Sequence, residues 1–192
     1  NMSEFTCSKC DICILNNHHP IIGDGNLDAN IMFITRNPSA FDKKNNVPLV
    51  NKEGMLFQKF LDLFNFSRDL IYITNAVKCK TPGYRIPLDR EIANCYEHLD
   101  NDIKTVNPKI IVLMGEVAIR AYFKLAYINI IIDMLYLNAK SVIANGRTII
   151  YMIPPVYGLS NANGLNLIYQ AFVTLTKEYR IINPLHETNM NI

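Results

Sequence analysis

Residues 109–127 read KIIVLMGEVAIRAYFKLAY. Residues 109–114 carry an apolar run without alternation, the signature of a strand buried on both faces. Gly115 ends the run, and residues 116–127 then read as a helix. A strand delivered directly into a helix is the repeating unit of a parallel sheet covered on both sides. The same unit recurs outward in both directions. NIMFIT at 30–35, LIYIT at 70–74 and TIIYMI at 148–153 are further apolar runs. The spacing of Met55, Leu56, Phe60, Leu63 and Phe64 predicts a helix over 53–66, and helices over 88–105 and 164–179 complete the alternation. Asn145-Gly146 marks a turn before the fourth strand, and Pro154-Pro155 stops that strand. The expected fold class is therefore α/β. In such sheets the ligand crevice lies outside the carboxyl ends of the strands. Here those ends carry Thr35-Arg36-Asn37-Pro38-Ser39, Thr74-Asn75-Ala76, Gly115 and the segment Pro154 to Ser160.

The 192 residues fit a single domain with a sizeable core, and the hydrophobic fraction of 49% excludes a disordered chain. Asn1 ahead of Met2 reads as the remnant of a cleaved tag, so the domain is taken as residues 2–192. A net charge of +2 does not by itself call for a nucleic-acid partner, and any basic surface must come from local clustering. The first residues are polar, without the pattern of a signal peptide. The longest apolar run, Ile128 to Leu137, is interrupted by Asn129 and Asp133 and is too short to span a bilayer. The expected setting is intracellular and cytoplasmic, with no membrane partner, no obligate protein partner and a monomeric chain. In that compartment five cysteines point to metal rather than to disulfides.

Cys7 and Cys10 form a C-x-x-C pair, and Cys79 and Cys95 stand at the ends of CKTPGYRIPLDREIANC. Thiolates are the usual ligands of iron–sulfur clusters, and a fold can bring two distant pairs to one cluster. Cys13 is the extra cysteine; it reads as an unliganded thiol, although it could replace Cys10. His18-His19 shows no metal spacing to other histidines and reads as surface loop.

Several segments together resemble the iron–sulfur, family 4-like uracil-DNA glycosylases of the uracil-DNA glycosylase superfamily. They are the C-x-x-C at 7–10, GDGNLDANIMFI at 23–34, VPLVNKEG at 47–54, LIYITNAVKCKTPGYR at 70–85, the Cys79–Cys95 spacing and NPKIIVLMG at 107–115. The resemblance implies one three-layer αβα domain with a central four-stranded parallel sheet. It also implies a 4Fe–4S cluster on Cys7, Cys10, Cys79 and Cys95, in a structural role near the DNA backbone.

The active-site segments depart from that family. Its first loop reads Gly-Glu-Ala-Pro-Gly, where this chain has Thr35-Arg36-Asn37-Pro38-Ser39; Arg36 replaces the carboxylate that positions the attacking water. Mismatch-specific relatives carry Asn-Pro at this place, which by resemblance makes Asn37 the residue that orients water. Leu49 stands where the family has a Phe that stacks on the flipped base, so a π face is lost and space is gained. Glu53, just beyond, is the nearest acidic residue to this loop; it reads first as an acidic residue of a helix first turn, with an approach to the pocket as the alternative. The family's electrophilic His is missing from Pro155-Val156-Tyr157-Gly158-Leu159-Ser160-Asn161. Gly158-Leu159-Ser160 instead matches the ending of the mismatch-specific loop, making Leu159 the candidate wedge, with Tyr157 as a second candidate and Ser160 beside it. Asn75 matches the family's Asn that pairs with the flipped pyrimidine. Its amide suits uracil or, turned over, cytosine derivatives. Lys78, Lys80 and Arg85 cluster near Cys79 and, with Lys43-Lys44, are candidates for phosphate contacts. Gly115 would let the backbone approach a nucleotide closely.

The expectation is a monofunctional DNA glycosylase that excises a modified base rather than plain uracil and leaves an abasic site. Hypermodified cytosines of phage DNA, in antiviral defence, are the concrete candidates, with Arg36 donating to sugar hydroxyls. The alternatives are a catalytically silent DNA-binding relative and a conventional uracil glycosylase of base-excision repair.

Overall fold

Six strands form one sheet in the order β1-β3-β2-β4-β6-β5 in a computed structural model that describes residues 6–187. The ends of the expected 2–192 span lie outside the described residues. The strands are β1 (Asp24–Gly25), β2 (Ile31–Thr35), β3 (Ile71–Asn75), β4 (Ile110–Met114), β5 (Ser141–Ala144) and β6 (Arg147–Met152). The helices are α1 (Asp11–Leu15), α2 (Ala40–Asn45), α3 (Lys52–Leu63), α4 (Asp89–Asn94), α5 (Tyr96–Val106), α6 (Glu116–Tyr122), α7 (Met134–Leu137), α8 (Val156–Ser160) and α9 (Ala162–Ile182). The four apolar runs pair in parallel as β3-β2-β4-β6. Every residue of β2, β3 and β4 is buried, which is why these strands show no alternation.

The chain thus has the α/β architecture of its sequence pattern: the central four-stranded parallel sheet is present, and two further strands extend it. Both additions are antiparallel edges. β1 is a two-residue bridge to β3. β5 forms a hairpin with β6 through Asn145-Gly146, whose φ values of 53° and 74° are both positive, as a two-residue hairpin turn with matching twist requires. β5 is largely exposed, so it lacks the apolar run that marked the other strands.

One face of the sheet packs against α3 and α9. Phe33, Phe57, Phe60, Phe64 and Phe172 share this layer, and the Phe172 ring lies 5.5 Å from Phe60 and 5.4 Å from Phe64 between centroids. The other face, bearing Met32, Ile34, Ile111 and Leu113, packs against α5 and α6 together with four of the cysteines. The helix expected over 88–105 is broken at Cys95 into α4 and α5. That expected over 116–127 ends at Tyr122, because Lys124 turns left-handed with φ 56°. The loop that follows is held by Arg120, which donates to the carbonyls of Ile128 at 3.0 Å and Ile130 at 2.8 Å. Among the described residues no helix is long and apolar enough to cross a membrane.

Gly115 joins β4 to α6 with φ 94° and ψ 172°, a region open only to glycine, and a Cβ there would stand 2.7 Å from Pro154 Cγ. Gly115→Ala is therefore expected to lower stability by about 2 kcal/mol. Urea unfolding should show a lower midpoint at unchanged slope.

Candidate functional site

The carboxyl ends of β2, β4 and β6 open into a cleft of about 900 Å³, and Asn75 at the end of β3 is the register partner of its lining residue Thr35. Thr35 and Arg36 from the end of β2, Met114 and Gly115 from β4, and Pro154, Val156 and Tyr157 beyond β6 form part of its wall. Glu53 of α3, Tyr84 and Ile86 of the loop after Cys79, and Tyr127 and Ile128 of the loop after α6 complete the rim. The Arg36 guanidinium lies 4.4 Å from the Tyr84 ring centroid and donates to the Tyr84 carbonyl at 3.4 Å. Burial pushes the Glu53 carboxyl above its ordinary range, while Arg36 opposes that shift, Asp42 adds to it and the Tyr84 hydroxyl opposes it. Of the two sequence readings of Glu53, a helix first-turn carboxylate and an acidic residue near the pocket, the structure shows both. Tyr84 was not singled out, although it is the only aromatic residue between Cys79 and Cys95.

Asn75 ends β3 and is 2% exposed, and neither Oδ1 nor Nδ2 of its amide has a partner. Leaving a buried amide unpaired on both sides costs several kcal/mol unless a ligand completes it. Asn37 is also buried; its Nδ2 donates to Thr81 Oγ1 at 3.2 Å, while its Oδ1 has no partner. Its neighbours Thr35 and Arg36 line the cleft. Leu49 is 4% exposed, with φ 56°, and packs into the phenylalanine layer instead of lining the cleft. The wall's aromatic face near Arg36 is Tyr84. Tyr157 lines the cleft, and Leu159 stands 49% exposed on α8 beside it. The Ser160 hydroxyl donates to the Tyr157 carbonyl at 3.1 Å.

Behind the cleft, five thiols converge. Cys13 Sγ lies 3.3 Å from Cys7 Sγ, 3.6 Å from Cys10 Sγ and 3.8 Å from Cys79 Sγ. Cys95 joins them from the α4–α5 junction. All five are free thiols, and only Cys10 is more than marginally accessible among the four expected ligands. Among the described residues no three side chains already stand as ligands around one metal ion. The donor set nonetheless fits a thiolate-bound cluster. Burial pushes the Cys79 thiol up to about 12 and the Cys95 thiol up to about 11, and raises Cys13 as well. Such thiols stay protonated at neutral pH unless a metal compensates the charge. The surprise relative to the sequence is Cys13, which lies at the centre of the group.

The uracil-DNA glycosylase superfamily model matches residues 22–184. The type-4 uracil-DNA glycosylase of Thermotoga maritima is 36% identical over 113 residues, covering 58% of this chain and 59% of that protein. Those of Sulfurisphaera tokodaii and Archaeoglobus fulgidus are 35% and 30% identical over 57% and 62% of this chain, and over 50% and 60% of their own lengths. The match thus spans between half and three-fifths of these relatives. The chain belongs to the uracil-DNA glycosylase superfamily.

The basic residues near Cys79 need a correction. Lys78 is 2% exposed and cannot meet a phosphate: its ammonium is held by Asp102 and Thr74, and the Thr74 hydroxyl donates to Asp102 Oδ2 at 2.6 Å. Arg85 makes a bidentate pair with Glu91 at 2.7 and 2.8 Å. Burial would raise the Glu91 carboxyl, but Arg85 and the Leu88 N–H hold it below its ordinary range. Lys80 is half-buried, its Nζ 3.4 Å from the Thr81 carbonyl. Lys78→Met, which strands the Asp102 charge, should cost about 3 kcal/mol in denaturant unfolding.

Proposed function

We propose that this chain is a DNA glycosylase: it takes a base out of the duplex stack, hydrolyses its N-glycosidic bond and leaves an abasic site. The observation that supports this most is Asn75, a buried amide with an unpaired donor and an unpaired acceptor at a strand end beside a cleft. A pyrimidine edge offers the matching acceptor and donor, and the pairing would offset what the unpaired amide costs. The free Oδ1 of Asn37 would hold the attacking water. Leu159, exposed on α8, would fill the gap left by the departed base, with Tyr157 and Ser160 next to it. Arg85 and Lys80 remain candidates for backbone phosphates.

The preferred base in this reading is bulkier than uracil. The cleft volume of about 900 Å³ is near the upper end of the ~300–1,000 Å³ common for small-molecule sites. Arg36 adds hydrogen-bond donors to the cleft wall, a chemistry that suits a polar substituent on a pyrimidine ring. A hydroxymethylated or glucosylated cytosine fits these features, and an enzyme with that preference would act against phage DNA that carries such bases.

The same reading gives Cys7, Cys10, Cys79 and Cys95 a 4Fe–4S cluster. When bound, the cluster would supply a cross-link between the N-terminal segment, the loop after β3 and the α4–α5 junction, with no part in hydrolysis. The protein's own contribution is to exclude water from the sulfurs and bring the three segments together.

Oligonucleotides carrying uracil, a thymine mismatch, hypoxanthine, 5-hydroxymethylcytosine or its glucosylated form test the substrate. Release of a modified cytosine at a higher kcat/KM than uracil is the expected outcome; efficient uracil release would overturn the substrate preference. No release with DNA binding intact would support a silent binding protein. Asn75→Ala should lower kcat/KM by roughly 10²-fold or more, through loss of hydrogen bonds to the base. Protein purified without oxygen should contain about four iron atoms per chain and absorb as a brown cluster. Cys79→Ser should remove that signal, and iron-free wild-type protein would contradict the ligand assignment.

A further inference from the structure

Holding a water is not sufficient for hydrolysis, because the water must also lose a proton, and the amide of Asn37 is a poor base. Three carboxylates besides Glu53 are close enough to the cleft to be considered. Asp42 is buried and engaged by the Ser39 and Val50 N–H groups at 2.8 Å each. Glu116 is paired to Arg120 at 2.8 Å. Asp89 is exposed in the first turn of α4.

Glu53 differs from all three. It is half-buried on the cleft wall, with Thr35, Arg36 and Tyr84. The charged and titratable groups facing it are Arg36, Asp42 and Tyr84. Its helix start is fixed: Asn51 Oδ1 accepts from the Gly54 N–H at 3.1 Å, and a Cβ on Gly54 would fall 1.9 Å from the Leu49 carbonyl oxygen. The carboxylate is thus carried on a backbone that has no room to shift, which suits a group that must meet a reacting atom. Arg36 occupies the loop position where the family carries its glutamate, so a carboxylate arriving from α3 restores to the cleft the charge that the loop lost.

We propose that Glu53 is the catalytic carboxylate of this cleft, facing the sugar and accepting the proton of the attacking water. This rests on the glycosylase reading above. In the step, the C1′–N bond breaks and both electrons leave on the base, whose edge is held by Asn75. The water oxygen bonds to C1′, its proton passes to the Glu53 carboxylate, and the base anion takes a proton from solvent after release. Before attack, the Glu53 charge stabilises the cationic sugar.

Two measurements test the assignment. The first is binding of wild-type protein and Glu53→Gln to duplexes with a cationic pyrrolidine or a neutral tetrahydrofuran abasic analogue. Wild-type protein should prefer the cation by at least about tenfold, and Glu53→Gln should lose that preference while keeping its thermal unfolding and its affinity for the neutral analogue. No preference in wild-type protein, or an equal preference in Glu53→Gln, overturns the proposal. The second is turnover on the base that wild-type protein releases. Glu53→Gln should lower kcat by roughly 10²–10⁴-fold with little change in KM, and Glu53→Asp should recover part of the loss. The wild-type rate should rise with pH as the carboxyl ionises, and this rise should vanish in Glu53→Gln. Base release insensitive to Glu53→Gln overturns the assignment and leaves the glycosylase reading standing. A Glu53-dependent cation preference without release of any base overturns the glycosylase reading and, with it, the catalytic role of Glu53.

Discussion

Thr35 pairs with Asn75 in the parallel register of β2 and β3, and the pairing continues past both strands. Ala76 N donates to the Thr35 carbonyl at 2.7 Å and Val77 N to the Arg36 carbonyl at 3.0 Å. This extension of the ladder locks the loop bearing Arg36 and Asn37 to the segment bearing Asn75, Lys78 and Cys79. A slip of one residue would turn Asn75 to the opposite face of the sheet and detach the cleft from the thiols. Burial on both faces of β2 and β3 makes such a slip costly, because every residue of either strand is enclosed.

Within five residues after the ladder, one stretch of chain carries three kinds of polar burial. Asn75 awaits a partner, Lys78 is neutralised by Asp102, and Cys79 contacts the other thiols. Each is unfavourable alone, and only that of Lys78 is answered within the chain, by the ion pair with Asp102. The cleft and the thiol group are therefore two ends of one rigid segment.

The parallel sheet was legible because its four strands are enclosed on both sides and therefore read as unbroken apolar runs. The edge strands were not: β1 has two residues, and β5 is largely exposed, so neither carries such a run. Asn145-Gly146 signalled the turn but not that a strand preceded it. The break at Cys95 was hidden because Ile92 and Leu99 keep helical spacing on both sides of it. In the site, Asn75 and Arg36 were legible as strand-end residues. Lys78 was misread because sequence proximity to basic neighbours says nothing about direction: two residues along from the buried Ala76, its side chain reaches back to Thr74 and Asp102. Tyr84 escaped notice because its role comes from stacking with Arg36, which is remote in sequence.

The central claim is that the cleft performs hydrolysis at the sugar carbon of a nucleotide in DNA. Mass spectrometry of both products after incubation in ¹⁸O-labelled water, with DNAs bearing uracil, a thymine mismatch, hypoxanthine, 5-hydroxymethylcytosine or its glucosylated form, tests it most directly. The account predicts a free base and a strand whose abasic sugar has gained one labelled oxygen. Strands of unchanged mass with every one of these DNAs, or an unlabelled abasic product, would contradict it.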